Sequence, residues 1–90
     1  EVAALAGHAD WRVRTQVAQA LGLIGSQRDM DVLVRLSTDS QWWVRYRAAQ
    51  ALMRIPGLKR EQVQALISAT GDKYAADMLA AVLAEEGGRA

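Results

Sequence analysis

Ninety residues with a net charge of +1, 51% hydrophobic composition, one proline and no cysteine make one domain at most. The missing cysteines exclude disulfides, zinc–thiolate sites, iron–sulfur clusters and thiol catalysis, and they leave the redox compartment open. No apolar run approaches the roughly 20 residues that a membrane-spanning helix needs.

The first periodic stretch places Val13, Val17, Ala20, Leu21 and Ile24 on one helical face. Asp10 stands where an N-cap belongs, and Gly25 suits a left-handed C-terminal cap, so a helix is predicted over 10–23. Ser26-Gln27-Arg28-Asp29 has the form of a capping box and opens a second helix over 28–37, with Met30, Leu33, Val34 and Leu36 apolar. After the loop Thr38-Asp39-Ser40, a third helix is predicted over 41–54. Pro56-Gly57 turns the chain. A fourth helix follows over 59–69, burying Val63, Leu66 and Ile67. Asp72 caps a last helix over 72–85, and the polar residues 87–90 read as a flexible tail.

Residues 11–25 and 42–56 repeat one another at an offset of 31: eight of fifteen positions are identical, among them Trp11/Trp42, Arg14/Arg45, Ala18/Ala49, Leu21/Leu52 and Ile24/Ile55. A fixed period of this size marks a stacked repeat architecture, in which each unit buries its face on the next. The expected fold is therefore an all-α solenoid of about three stacked helical hairpins. One repeat domain spans 1–86: a half repeat over 1–7 that starts midway through a helix, repeats over 9–38 and 40–69, and the terminal helix over 72–85. The chain opens on EVAALAGHAD without an initiator methionine or signal-peptide pattern. It is expected to be the C-terminal part of a longer repeat protein, with an apolar N-terminal end through which two copies could pair.

The residues Asp39, Val44-Arg45 and Ala48-Ala49-Gln50-Ala51-Leu52, with Val13-Arg14, Ala18-Gln19-Ala20-Leu21-Gly22 and Ile24-Gly25, resemble the HEAT repeat superfamily in its short bacterial, PBS-lyase-like form. The resemblance implies a right-handed superhelix of antiparallel helix pairs and a ladder of Asp and Arg side chains between repeats, with Asp39 and Arg45 as the matching pair. At Arg14 the aligned acid position is His8, which departs from the pattern, and Ala75-Ala76 stand where the last copy would have Val-Arg. A buried guanidinium needs an acceptor, so Arg14 and Arg45 are expected to be architectural.

No residue set reads as catalytic. His8 is the single histidine, so no metal site and no cofactor are expected, and Asp29, Asp31, Asp39 and Asp72 sit at caps or loops where helix dipoles account for them. Trp11 and Trp42 are repeat-equivalent and are expected to stack as a rung. Trp43 matches Arg12, a position that tolerates charge, and is expected to face a partner. The partner-binding surface is accordingly assigned to Arg12, Trp43, Tyr46 and Arg47, because Trp and Arg are enriched at interface hot spots. The expected role is non-catalytic protein–protein recognition. Residues 11–60 hold nine bases and three acids, which makes nucleic-acid or polyanion binding the first alternative. A second, implied by the family label alone, is an accessory subunit of a chromophore lyase.

Overall fold

The computed structural model describes residues 2–87; the end of the expected tail, 88–90, lies outside the described residues. After a 3-10 segment over Val2–Gly7, five α-helices follow: α1 (Trp11–Ile24), α2 (Met30–Leu36), α3 (Trp42–Met53), α4 (Arg60–Thr70) and α5 (Lys73–Gly87). A 3-10 turn over Gln27–Asp29 leads into α2. Each of the five expected helices is present, with ends shifted by one or two residues. The exception is the opening half repeat, which was expected to continue an α-helix and takes the tighter 3-10 form that short helical pieces adopt.

The caps explain the ends. Asp10 accepts from the Arg12 N–H at 2.9 Å to start α1, and Gly25 closes it in the left-handed region at φ 67°. Gly71 closes α4 at φ 68°, a conformation that costs a Cβ-bearing residue and suits glycine. Gln41, the repeat equivalent of Asp10, makes no side-chain cap, and Asp72 resumes the role by accepting from the Ala75 N–H at 2.9 Å.

The helices form two layers. α1, α3 and α5 pack side by side in one, while the 3-10 segment, α2 and α4 lie in the other. α3 is central: it packs on α1, α2, α4 and α5 and buries Val44, Ala48, Ala49, Gln50, Ala51 and Leu52. Burial so far around its circumference needs small residues where neighbouring helices come close, which is why alanines crowd it. The core runs through all five helices, from Val17, Ala18 and Leu21 through Leu33, Leu36 and Leu52 to Ile67 and Val82.

One approach is tighter than the others. A Cβ built on Gly22 would lie 2.8 Å from Ala51 Cβ and 3.0 Å from Ala51 Cα. Gly22→Ala would recover about 1 kcal/mol of helix propensity, but overpacking against a neighbouring backbone costs roughly 1–3 kcal/mol. The clash with backbone decides the sign, so we expect Gly22→Ala to lower the melting temperature by several degrees. A thermal melt checks this; a raised melting temperature would show that α1 and α3 separate freely.

Repeat-equivalent residues do not share one environment. Ile55 is 2% exposed, whereas Ile24, expected on the core face, is 61% exposed, and Leu23 beside it is also exposed. Trp42 is 49% exposed and does not form the expected rung with Trp11. Its ring stacks instead on Tyr46, one turn onward in α3, with centroids 5.1 Å apart. The equivalent of Tyr46 in α1 is Thr15, so Trp11 has no ring to stack on there and packs against the core.

Candidate functional site

Two arrangements are built on the repeated loops and the helices α1, α3 and α5. The first is a row of arginine clamps. Arg14 donates through Nη1 to the carbonyls of His8 and Ala9, at 2.7 and 3.1 Å. Thirty-one residues later, Arg45 donates through Nη1 to the carbonyls of Asp39 and Ser40, at 3.0 and 3.1 Å. Each arginine thus holds the loop that precedes its own helix. The Nε–Nη2 edge of Arg14 then takes the Asp39 carboxylate at 2.7 and 3.1 Å. The expected Asp39–Arg45 pair is therefore corrected: Arg45 reaches the Asp39 backbone, and the Asp39 side chain points back one repeat to Arg14. The two side chains are 16% and 11% exposed, so the pair sits in a partly dry seam. Burial by itself would raise the Asp39 pKa; the Arg14 hydrogen bonds, the Gln41 N–H and the positive charges of Arg14 and Arg45 outweigh it and hold the carboxyl below its usual range. The Asp39 hydrogen bond raises Arg14 further above its already high value.

Positions 8, 39 and 70 are repeat equivalents, and all three perform one shared task. His8 Nδ1 accepts from the Asp10 N–H at 3.0 Å, Asp39 Oδ1 from the Gln41 N–H at 2.9 Å, and Thr70 Oγ1 from the Asp72 N–H at 3.1 Å. A ring nitrogen, a carboxylate oxygen and a hydroxyl tie down the turns before α1, α3 and α5 in that order. Of the three, Asp39 alone adds a carboxylate that faces an arginine of the preceding repeat.

The second arrangement is an aromatic cluster at the start of α3. Trp42 and Trp43 meet edge to face at 4.8 Å, and Trp43 meets Tyr46 at 5.8 Å. Arg47 lies over both Trp43 and Tyr46, 5.8 and 5.6 Å from their centroids, and its Nη1 donates to Gln50 Oε1 at 3.1 Å. The Tyr46 hydroxyl donates to the Glu85 carboxylate of α5 at 3.0 and 3.1 Å, which joins the cluster to the last repeat. Trp43 is 48% exposed. Three of the four residues assigned to partner binding from the sequence, Trp43, Tyr46 and Arg47, come together here. The fourth, Arg12, does not: its guanidinium is spent on Asp10 at 3.1 Å, and no ring or ionic contact joins it to the cluster among the described residues.

Sequence reasoning missed Trp42, which belongs to the cluster. Its i,i+4 spacing to Tyr46 was the available sign, since residues four apart share a helix face. It also missed Tyr74, whose ring lies 5.4 Å from the Arg45 guanidinium carbon. That contact crosses from α3 to α5, and no local pattern announces it. Among the described residues, no group of three or more His, Cys, Asp or Glu side chains is placed to hold a metal ion, and no helix is long and apolar enough to cross a membrane.

Compared with known proteins, residues 2–86 match a family model described as HEAT repeats. No curated protein and no solved structure matches the chain.

Proposed function

This chain belongs to the HEAT repeat family, and from that premise we propose that it is a non-catalytic scaffold that recognises another polypeptide through the Trp42–Trp43–Tyr46–Arg47 surface of α3. The observation that carries the reading is the mutual packing of these rings while both tryptophans stay about half exposed. Large apolar groups already held in place lose little conformational freedom on binding. Tryptophan, tyrosine and arginine are the residue types that dominate measured interface energies. Arg12 lies one repeat away on the same layer and would extend the surface without belonging to its centre.

The test is capture of a binding protein from source lysate, its identification, and titration of that purified protein against wild-type chain and Trp43→Ala/Arg47→Ala. We expect the double variant to lose at least about tenfold in affinity while its thermal melt stays close to wild type, and the wild-type affinity to fall only modestly between low and high salt. Unchanged affinity in the double variant would place the surface elsewhere. Recovery of nucleic acid, with binding that falls steeply as salt rises, would favour the polyanion alternative. A bilin absorbance change on mixing would favour the chromophore-lyase alternative.

A further inference from the structure

The row has two arginine clamps and, among the described residues, one carboxylate between them. Arg14 and Arg45 hold their own loops in the same way, and Arg14 finishes its hydrogen bonding on a carboxylate 25 residues ahead. Twenty-five residues ahead of Arg45 stands Thr70. Thr70 keeps the turn-tying half of the Asp39 role, while its hydroxyl proton goes to the Ile67 carbonyl at 2.6 Å. It has no charge to offer. Consistent with this, Arg45 Nε is buried and has no hydrogen-bond partner among the described residues. A buried donor left unmade is rare and costly. Along the seam Arg14–Asp39–Arg45, two guanidinium groups thus share one carboxylate among the described residues.

Space adjoins Arg45. A cleft of about 430 Å³ lined by Thr38, Asp39, Ser40, Arg45 and Tyr74 meets a second of about 250 Å³, with Arg45 and Tyr74 common to both and Trp42 and Met78 as apolar walls. Of the acids in these clefts, Asp39 is held by Arg14 at 2.7 Å and Asp77 pairs at the surface with Lys73 at 2.9 Å, and neither forms an ion pair with Arg45. Tyr74 lies against the guanidinium but is 69% exposed, so its ring can swing aside and admit a ligand oxygen to the Arg45 edge.

We propose that Arg45 is a receptor for a carboxylate from outside the repeat: an aspartate or glutamate side chain of a bound polypeptide, seated where a ladder aspartate would sit at position 70. Its oxygens take the Nε–Nη2 edge of Arg45 as those of Asp39 take that of Arg14, a charge-assisted bidentate geometry. The neighbouring Trp42, Tyr74 and Met78 surfaces contact the flanking residues. The polypeptide source rests on the recognition role proposed above; the carboxylate chemistry rests on Arg45 alone.

The test reads the Arg45 Nε–Hε resonance by NMR, assigned by its loss in Arg45→Lys. The intact chain is titrated with the blocked peptides acetyl-Ala-Asp-Ala-amide and acetyl-Ala-Asn-Ala-amide and with sodium acetate, at constant ionic strength and pH. We expect a saturable downfield shift with the aspartate peptide, none with the asparagine peptide, and at least about tenfold weaker response to acetate. Thr70→Asp, which restores the ladder acid, should show the shifted resonance without ligand, lose the response to peptide, and melt a few degrees higher. Equal affinity for acetate would overturn the polypeptide source. Equal shifts with both peptides, or a Thr70→Asp chain that still responds like wild type, would overturn the site. Because no natural partner is involved, these outcomes stand apart from those of the Trp43→Ala/Arg47→Ala experiment.

Discussion

Asp39→Ala is expected to destabilise the chain by about 3 kcal/mol, since removing one member of a largely buried, hydrogen-bonded ion pair strands the other charge. For a domain of this size that lowers the melting temperature by more than about 10 °C. The loss has two parts. The carboxylate takes two hydrogen bonds from Arg14 and one from the Gln41 N–H, so it both joins two repeats and ties the turn before α3. Asp39→Asn separates them, because the amide oxygen still accepts from Gln41 while the charge is gone; about half the effect should remain. Arg14→Ala should cost a similar amount by leaving the Asp39 charge unpaired in the seam, and the Asp39→Ala/Arg14→Ala double variant should cost less than the two singles combined. Chemical denaturation of the four variants beside wild type gives these differences directly; additive losses would mean that the pair is not coupled.

The same pair sets a pH dependence. The folded pKa of Asp39 lies below the ordinary value of 3.8, so the unfolded chain binds its proton first as pH falls. The stabilisation is fully present above 3.8 and is lost as pH falls through the folded value. The stability gap between wild type and Asp39→Asn should therefore be flat from neutral pH to about 4 and close below it. A gap that closed near neutrality would point to a different titrating group.

The second large effect is Leu52→Ala, expected at about 3–4 kcal/mol, in the upper part of the range for emptying a well-packed leucine site. Leu21, Leu52 and Leu83 hold one position in three successive repeats. Leu52 is completely buried in the central helix, Leu21 nearly so, and Leu83 only partly. Leu21→Ala should cost about 3 kcal/mol and Leu83→Ala about 1 kcal/mol, because a partly buried side chain loses less transfer energy and its site collapses more easily. Urea midpoints of the three variants check the order Leu52, Leu21, Leu83. Equal losses would mean that each repeat carries its own core, with no gain from stacking.

These leucines show how far local pattern reaches. The 31-residue repeat, the helical spacing of Val13, Val17 and Leu21, the cap at Asp10 and the glycine at 25 are all written in neighbouring residues. They specify elements because propensity and capping act over one or two turns. The same local signs put Trp43, Tyr46 and Arg47 on adjoining positions of one helix, and Trp42 was legible there too through its spacing to Tyr46. Arg12 was grouped with them by repeat register alone, and register says nothing of the Asp10 carboxylate that occupies it.

What the sequence by itself determined is a family and a set of helices in order: an all-α chain of the HEAT repeat family in which equivalent positions carry equivalent residues. Only the tertiary structure decided which copy of a residue meets which neighbour. Arg14 and Arg45 are alike in sequence and alike in how they clamp their loops, yet one ends on a carboxylate and the other on a nitrogen with no partner among the described residues. Ile24 and Ile55 match, yet one faces solvent and the other the core. The reason is that helix formation depends on residues three and four apart, whereas the partner of a side chain across a repeat seam lies some 25 residues away and is set by how the layers stack. Thr70, the repeat equivalent of Asp39, leaves the local turn intact and brings no carboxylate with it.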